Sequence, residues 1–388
     1  MNAGHWRTGP PGAIQHRDGF VTSALIGAAR LRNGNLAPAG YRPFMSKLRW
    51  GILGTGHIAG VYARGVAASQ TGELAAVGSR AQASAARFAR EFGVPRAHGS
   101  YEALLADPAV DAIYVATPHP EHAAGAVRAA RSGKHILCEK PLTLNRADAE
   151  RVVAAARAAD VLLMEAFMYR CHPQTARVVE LVAGGALGRV GVIQATFSFA
   201  ADADPANRWW NPALGGGGIL DIGCYPVSFA RLVAGAADGK PFADPVSVSG
   251  AGHRHPQTGV DAYAVATLRF ANDIIAQVAC GVALTQDNSV RIYGTGGWLH
   301  VPVPWKPGDE AGTSRIVLYR RGAAGPEEMT FTTGPLYALE ADAFGAAWAA
   351  GRREVPQMTV ADTLGNMAVL DQWRAAVGVV YPGEAAAG

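Results

Sequence analysis

From Leu48 to Tyr169 the chain repeats one unit, a short apolar strand, a tight turn and a helix, and this rhythm constrains the fold more than any other feature. "LRWGILG" reads as a strand, and "HIAGVYARGVAA" follows it with helical spacing at Ile58, Tyr62 and Val66. "ELAAVGS", "VDAIYVATP", "HILCEKP" and "VLLMEAFMY" are further strands, separated by helical stretches such as "PEHAAGAVRAARSG" and "NRADAERVVAAARAAD". Strands joined through helices pair in parallel and carry helices on both faces. Ser100 and Asn145 stand where N-caps are expected, and Gly93 where a helix-ending glycine is expected.

After Tyr169 the pattern changes. The helix "PQTARVVELVAGG" leads into strand-like runs, including "VGVIQATFSF", "DAYAVATLRF", "IIAQVACGVAL" and "SVRIYGT", and two helices close the chain. Such runs predict a mostly antiparallel sheet with one wet face. The expected fold is a doubly wound α/β Rossmann domain over residues 47–169 and an α+β domain with an open sheet over 170–388, with ligands bound between them. Residues 1–46, rich in Gly, Pro, Asn and Arg and without period, are expected to be an irregular N-terminal extension. Met45, directly before the first strand, is the expected natural start; the alternative is an arm over the cofactor or a partner subunit.

Composition narrows the function. Hydrophobic residues make up 49% and charged residues 17%, which supplies two buried cores. The net charge of +4 is scattered, so nucleic acid is not an expected partner. No long apolar run predicts a membrane span. The four cysteines lie far apart with no CxxC pair, which argues against disulfides and zinc and for a cytoplasmic location.

"GILGTGHIA" places Gly54, Gly56 and Ala59 as GxGxxA between the first strand and its helix. In that position Gly54 allows the tight turn, Gly56 admits a pyrophosphate, and the helix N-terminus offers N–H groups to phosphate. Thr55, His57 and Ile58 share this turn. At the end of the second strand, where NAD sites usually carry an acidic residue, Ser79 and Arg80 stand instead. A hydroxyl and a guanidinium suit a 2′-phosphate, so NADP is expected rather than NAD; the alternative is that Arg80 is merely a solvated residue. Ala116, Thr117, Pro118 and His119 end a strand at the carboxyl edge, where the dinucleotide would pass. His119 and His122 lack an evident third partner, so no metal is expected.

"CEKPLTLN", with Glu139, Lys140 and Pro141, together with the upstream GxGxxA and the downstream "GGGGILDIGCYP", resembles the glucose-fructose oxidoreductase and inositol dehydrogenase family. "MEAFMYRCHPQ" is most similar to the branch holding sugar 1-dehydrogenases and dimeric dihydrodiol dehydrogenase. The resemblance spans nearly everything from Leu48 onward. It implies an NADP-dependent dehydrogenase or reductase acting on CH–OH groups of a sugar, polyol or cyclic diol, for example an aldose 1-dehydrogenase giving a lactone. Alternatives are a trans-dihydrodiol dehydrogenase, an anhydro-sugar ketone reductase, or a tightly held cofactor cycling between two sugars. From another class, a non-catalytic dinucleotide-binding regulator is the alternative.

The resemblance makes Lys140 the active-site lysine, with a cis peptide before Pro141, and puts Glu139 beside it, either orienting Lys140 or capping a nearby N–H. Burial beside a cationic nicotinamide would lower the lysine's pKa. Tyr225 and Asp221, four apart on one helical face, complete the expected catalytic set. Tyr225, its pKa lowered by Lys140, is expected to transfer the proton, with Lys140 itself as the alternative. Asp221 would bind substrate hydroxyls or the lysine. The plainer readings are a core tyrosine and a capping aspartate. Pro226 implies that a helix kinks or begins there. Arg208 and Trp209 are candidates for a sugar ring, though Trp209 and Trp210 equally suit a core or dimer contact. Tyr169 and His172 are expected to line the cleft, and Phe167 to be core. A homodimer or larger homo-oligomer would cover the open sheet.

Overall fold

The computed structural model describes residues 47–308 and 312–384; the extension expected over 1–46, with its start at Met45, lies outside the described residues. The first half runs β1 (Leu48–Leu53), α1 (His57–Ala68), β2 (Gly72–Gly78), α2 (Gln82–Phe92), β3 (Arg96–His98), α3 (Tyr101–Leu105), β4 (Ala112–Val115), α4 (His119–Arg131), β5 (His135–Glu139), α5 (Arg146–Ala158) and β6 (Leu163–Ala166). All of its strand pairs are parallel, in the order β3-β2-β1-β4-β5-β6. The order reverses between β1 and β4, which opens a crevice at the carboxyl ends of the strands. Leu48, Trp50, Ile52, Ile113 and Leu137 are fully buried, as two-sided cover requires.

The second half runs α6 (Pro173–Ala183), β7 (Val190–Ser198), α7 (Cys224–Ala236), β8 (Ser247–Arg254), β9 (Asp261–Arg269), β10 (Ile275–Gly281), β11 (Val290–Gly294), β12 (Gly297–Val301), β13 (Thr313–Arg320), β14 (Glu327–Thr332), α8 (Leu336–Ala349) and α9 (Val360–Val377). Its sheet has the order β14-β13-β12-β11-β7-β10-β9-β8, and only β7 and β10 pair in parallel. Helices α7 and α9 pack on one face. The other leaves Val192, Tyr263, Val265 and Ile275 exposed.

Helix α8 returns to the first sheet, with Phe344 5.0 Å from Trp50 between ring centroids and Asp342 accepting a 2.6 Å hydrogen bond from Ser69. Ser100 and Asn145 cap α3 and α5 with their side chains, and Gly93 ends α2 in the left-handed conformation. Pro212–Ala236 is long and apolar enough to cross a membrane, but it is entirely buried among the described residues.

Candidate active site

Strand β5 delivers Glu139 and Lys140 to the carboxyl edge, and the Lys140–Pro141 peptide is cis, as the resemblance implies. Glu139 turns inward. Its buried carboxylate accepts from the Tyr114 hydroxyl and, at 3.2 Å, from the Lys140 N–H, and burial raises its pKa. Glu139 is thus the cap of a nearby N–H. His122 joins the two strand ends, its ring nitrogens 2.9 Å from the Pro141 carbonyl and 2.8 Å from the Thr117 carbonyl. Burial lowers its pKa to about 4, so the ring is neutral and donates to one of the two.

The glycine-rich stretch becomes a turn that feeds a helix. Gly215 and Gly217 have φ of 68° and 103°; at Gly217 a β-carbon would also collide with the Asp261 carboxylate. Residues Ile219–Gly223 form one π-helical turn that runs directly into α7. Pro226 therefore lies in the first turn of α7, where its missing N–H leaves no α-helical bond broken.

This turn brings Asp221 onto Lys140. The ammonium donates to the Asp221 main-chain carbonyl at 2.6 Å and to its carboxylate at 3.3 Å. Arg208 lies over the same carboxylate, at 3.2 Å and 3.4 Å. Burial alone would raise the Asp221 pKa, but Lys140 and Arg208 hold it well below the usual carboxylate range. Burial would likewise lower the Lys140 pKa, yet Asp221, Cys224 and Glu139 outweigh it, and the net shift is upward. In the chain itself the nearest charge is a carboxylate, and it favours the ammonium; the expected fall concerns the lysine beside a cationic nicotinamide.

Tyr225 is buried among Phe167, Phe197 and Trp305, with centroid separations of 5.2, 5.2 and 5.9 Å. Its ring faces the Lys140 ammonium at 5.2 Å, but its hydroxyl points to the Met168 sulfur at 3.6 Å. Burial pushes its phenol pKa well above ordinary, opposite to the expected lowering. The lysine lies over the face of the ring, while the hydroxyl is directed to the Met168 sulfur.

Two further expectations are revised. Tyr169 is fully buried, and its hydroxyl donates to Ser228 at 2.9 Å, so it belongs to the core beside Phe167. His172 is the N-cap of α6, its Nδ1 accepting from the Gln174 N–H at 3.0 Å and its Nε2 3.1 Å from the Thr333 hydroxyl. The His-Pro step was a legible sign of that cap, since proline favours the first helical position. His119 faces the glycine turn, with Nδ1 3.1 Å from the Gly215 carbonyl and Nε2 3.8 Å from Asp221. Trp210 is buried against His255, whereas Trp209 is half-buried, with Arg208 5.0 Å from its ring centroid.

At the first turn, Gly54 has φ of 112°, and a β-carbon there would lie 2.8 Å from the Ala116 carbonyl oxygen. A β-carbon on Gly56 would meet open space. Among the described residues no side chain caps α1, which leaves its first N–H groups free of a cap, and the buried Thr117 hydroxyl has no hydrogen-bond partner. These features fit a dinucleotide: free donors at a helix start, no side chain in the way, and an orphan hydroxyl at the edge of β4. Thr55, Ile58, Ala116 and Pro118 border the same edge.

Ser79 extends β2 by donating its N–H to the His98 carbonyl at 3.1 Å, and Arg80 is exposed with its charge near Tyr101. A cavity of about 240 Å³ opens beside the turn, between α1 and α2, lined by Thr55, Gly56, His57, Arg64, Ser84 and Arg87 among others. Arg64 and Arg87 were not anticipated; Arg64 lies two helical turns beyond His57, a spacing that puts both on one face. Among the described residues no three His, Cys, Asp or Glu side chains gather as a metal ion would need.

Comparison with known proteins adds to this geometry. Residues 48–167 match the family described as "Oxidoreductase family, NAD-binding Rossmann fold", and residues 175–300 match the "GFO/IDH/MocA C-terminal domain". Trans-1,2-dihydrobenzene-1,2-diol dehydrogenase of Mus musculus is 32% identical over 341 residues, covering 86% of this chain and 98% of its own. The Danio rerio enzyme of that name is 35% identical over 347 residues, with the same coverage. Among solved structures, KijD10, a 3-ketoreductase from Actinomadura kijaniata in complex with NADP and TDP-benzene, is 30% identical with a TM-score of 0.76, covering 86% of this chain and 98% of that one. Aldose-aldose oxidoreductase from Caulobacter crescentus, complexed with glycerol, is 27% identical with a TM-score of 0.75, covering 85% and 97%.

Proposed function

The chain belongs to the GFO/IDH/MocA oxidoreductase family, and we propose that it transfers a hydride between NADP and a hydroxyl-bearing carbon of a sugar, polyol or cyclic diol. The observation that carries this reading is the partly buried Lys140 ammonium held against Asp221 at the carboxyl end of β5. The nicotinamide, when bound, supplies or takes up the hydride. In the reducing direction Lys140 gives a proton from Nζ to the substrate oxygen, and in the oxidising direction it takes that proton back. Asp221 keeps the lysine aimed and, with Arg208 and Trp209 at the rim, offers polar and aromatic contacts to a hydroxylated ring. Tyr225 contributes the ring face against which the ammonium rests.

The preference for NADP draws on Ser79 and Arg80 standing after β2 in place of an acidic residue, and on Arg64 and Arg87 in the cavity wall, where Glu91 is the one acidic lining residue. NADP in the KijD10 complex agrees with it. We assign the dinucleotide to residues 47–169 and the substrate and subunit contacts to 170–388. The apolar outer face of the open sheet suits a second copy of the chain, giving a homodimer, and four unpaired cysteines suit the cytoplasm.

Purified protein assayed at the reduced-nicotinamide absorbance band tests this, using aldoses and cyclic trans-diols with oxidised NADP or NAD, and keto-sugars with the reduced form of each cofactor. Turnover with NADP and at least one such substrate is expected. NADP binding without turnover across the panel would instead favour a regulator.

A further inference from the structure

We infer that Asp261 and Tyr381 are positioning residues, which pin the glycine turn from two sides and through it set the place of Lys140. The inference rests on the reading of Lys140 above. Asp261 opens β9 and is fully buried. Its Oδ2 accepts from the Ile219 N–H at 2.6 Å, and the Gly218 N–H bonds to it as well. The carboxylate thus caps the π-turn, whose first N–H groups have no partner within the helix. Gly217 is the residue that lets it approach so closely, as described above.

Tyr381 holds the preceding residue. Its buried hydroxyl donates to the Gly216 carbonyl at 2.6 Å. The tyrosine is itself fixed. Its N–H donates to Glu384 at 3.0 Å, Glu384 accepts from Arg374 at 2.8 and 3.1 Å and from the Asn145 amide at 3.0 Å, and the Arg374 guanidinium lies 4.9 Å from the Tyr381 ring centroid. The N-terminus of α5, the end of α9 and the C-terminal segment therefore converge on one carbonyl of the turn.

Neither residue touches Lys140. Their effect passes through the main chain, because the shortest contact of the lysine is with the Asp221 carbonyl, a backbone atom of the pinned turn. A turn free to drift would carry that carbonyl and the Asp221 carboxylate away from the ammonium. Small displacements of this kind cost rate more than binding.

The test uses Tyr381→Phe, Asp261→Ala and Asp261→Asn in the full chain, with kcat, KM and its pH dependence, equilibrium NADP affinity and hydrogen exchange over residues 215–223. Tyr381→Phe and Asp261→Ala should each lower kcat by roughly 10- to 100-fold, with NADP affinity within about twofold of wild type. Exchange over 215–223 should quicken, and the kcat profile should move to lower pH as Asp221 releases Lys140. Asp261→Asn, which retains an acceptor oxygen, should recover most of the rate. If Asp261→Ala does not fold, Tyr381→Phe alone decides. Wild-type kcat despite faster exchange overturns the inference, as does an equal fall in kcat and NADP affinity. Full activity in Lys140→Ala would instead remove the site reading on which it rests.

Discussion

Lys140 Nζ sits 2.6 Å from the main-chain carbonyl of Asp221 and 3.3 Å from its carboxylate, so a residue at the end of a first-half strand is clasped by the helical turn that leads into α7. Each half of the chain supplies one partner, and neither presents a site alone.

Replacing Lys140 by Ala should lower kcat by about 10²- to 10⁴-fold, the range for loss of a proton-transferring group. The dinucleotide contacts proposed above centre on the first turn, so the NADP dissociation constant, followed by fluorescence titration, should change little. Near-wild-type turnover would show that another group carries the proton.

Tyr225→Phe should cost less than about tenfold, because the hydroxyl faces the Met168 sulfur while the ring, which Phe keeps, meets the ammonium. Steady-state kinetics decide it: a loss of about 10² or more would restore the phenol as general acid.

Arg80→Ala should weaken NADP and spare NAD, measured as the ratio of their dissociation constants. Arg87→Ala serves as the comparison from the cavity wall. If neither variant alters the ratio, the 2′-phosphate is read elsewhere.

Glu165 gives a pH dependence of stability. It is buried, accepts from the Leu142 N–H at 2.8 Å, and burial raises its pKa from 4.5 to about 7. Between those values the folded chain keeps a proton that the unfolded chain has lost. This contribution is therefore complete below about pH 4.5 and is lost as pH rises toward 7. Melting temperatures should fall across that window, and Glu165→Gln, which cannot ionise, should make the slope shallower, with Asp261, whose pKa burial also raises to about 7, supplying part of what remains. An unchanged slope would place the titration on another group.

Long periodic elements were legible in the sequence because their signals are local. Five strands of the first sheet and their parallel pairing follow from strand-helix alternation, whereas β3, three residues long, gave no periodic signal; caps at Ser100 and Asn145 follow from single side chains. Strand β14, "EEMTFT", was missed: it is a charged edge strand whose register depends on β13. At the site, Lys140 and Asp221 were found through motifs, but the direction of the Lys140 shift depends on a carboxylate 81 residues away. Tyr169 and His172 were expected to line the cleft because they follow a strand end; packing from α7 and the cap on α6 put them inside. Asp261 and Tyr381 carried no local sign, since their partners are main-chain atoms distant in sequence.

The π-turn at Ile219–Gly223 also bears on how the gene for such a chain can change length. Each residue in an α-helix advances about 100° around the axis. A one-codon deletion that tightened this turn into ordinary α-helix would rotate Asp221 by roughly that angle relative to α7, swinging it off the lysine while leaving the helix intact. Reading-frame-preserving insertions and deletions should therefore be purged here even where they fold, and tolerated in the exposed β13–β14 hairpin at 321–326.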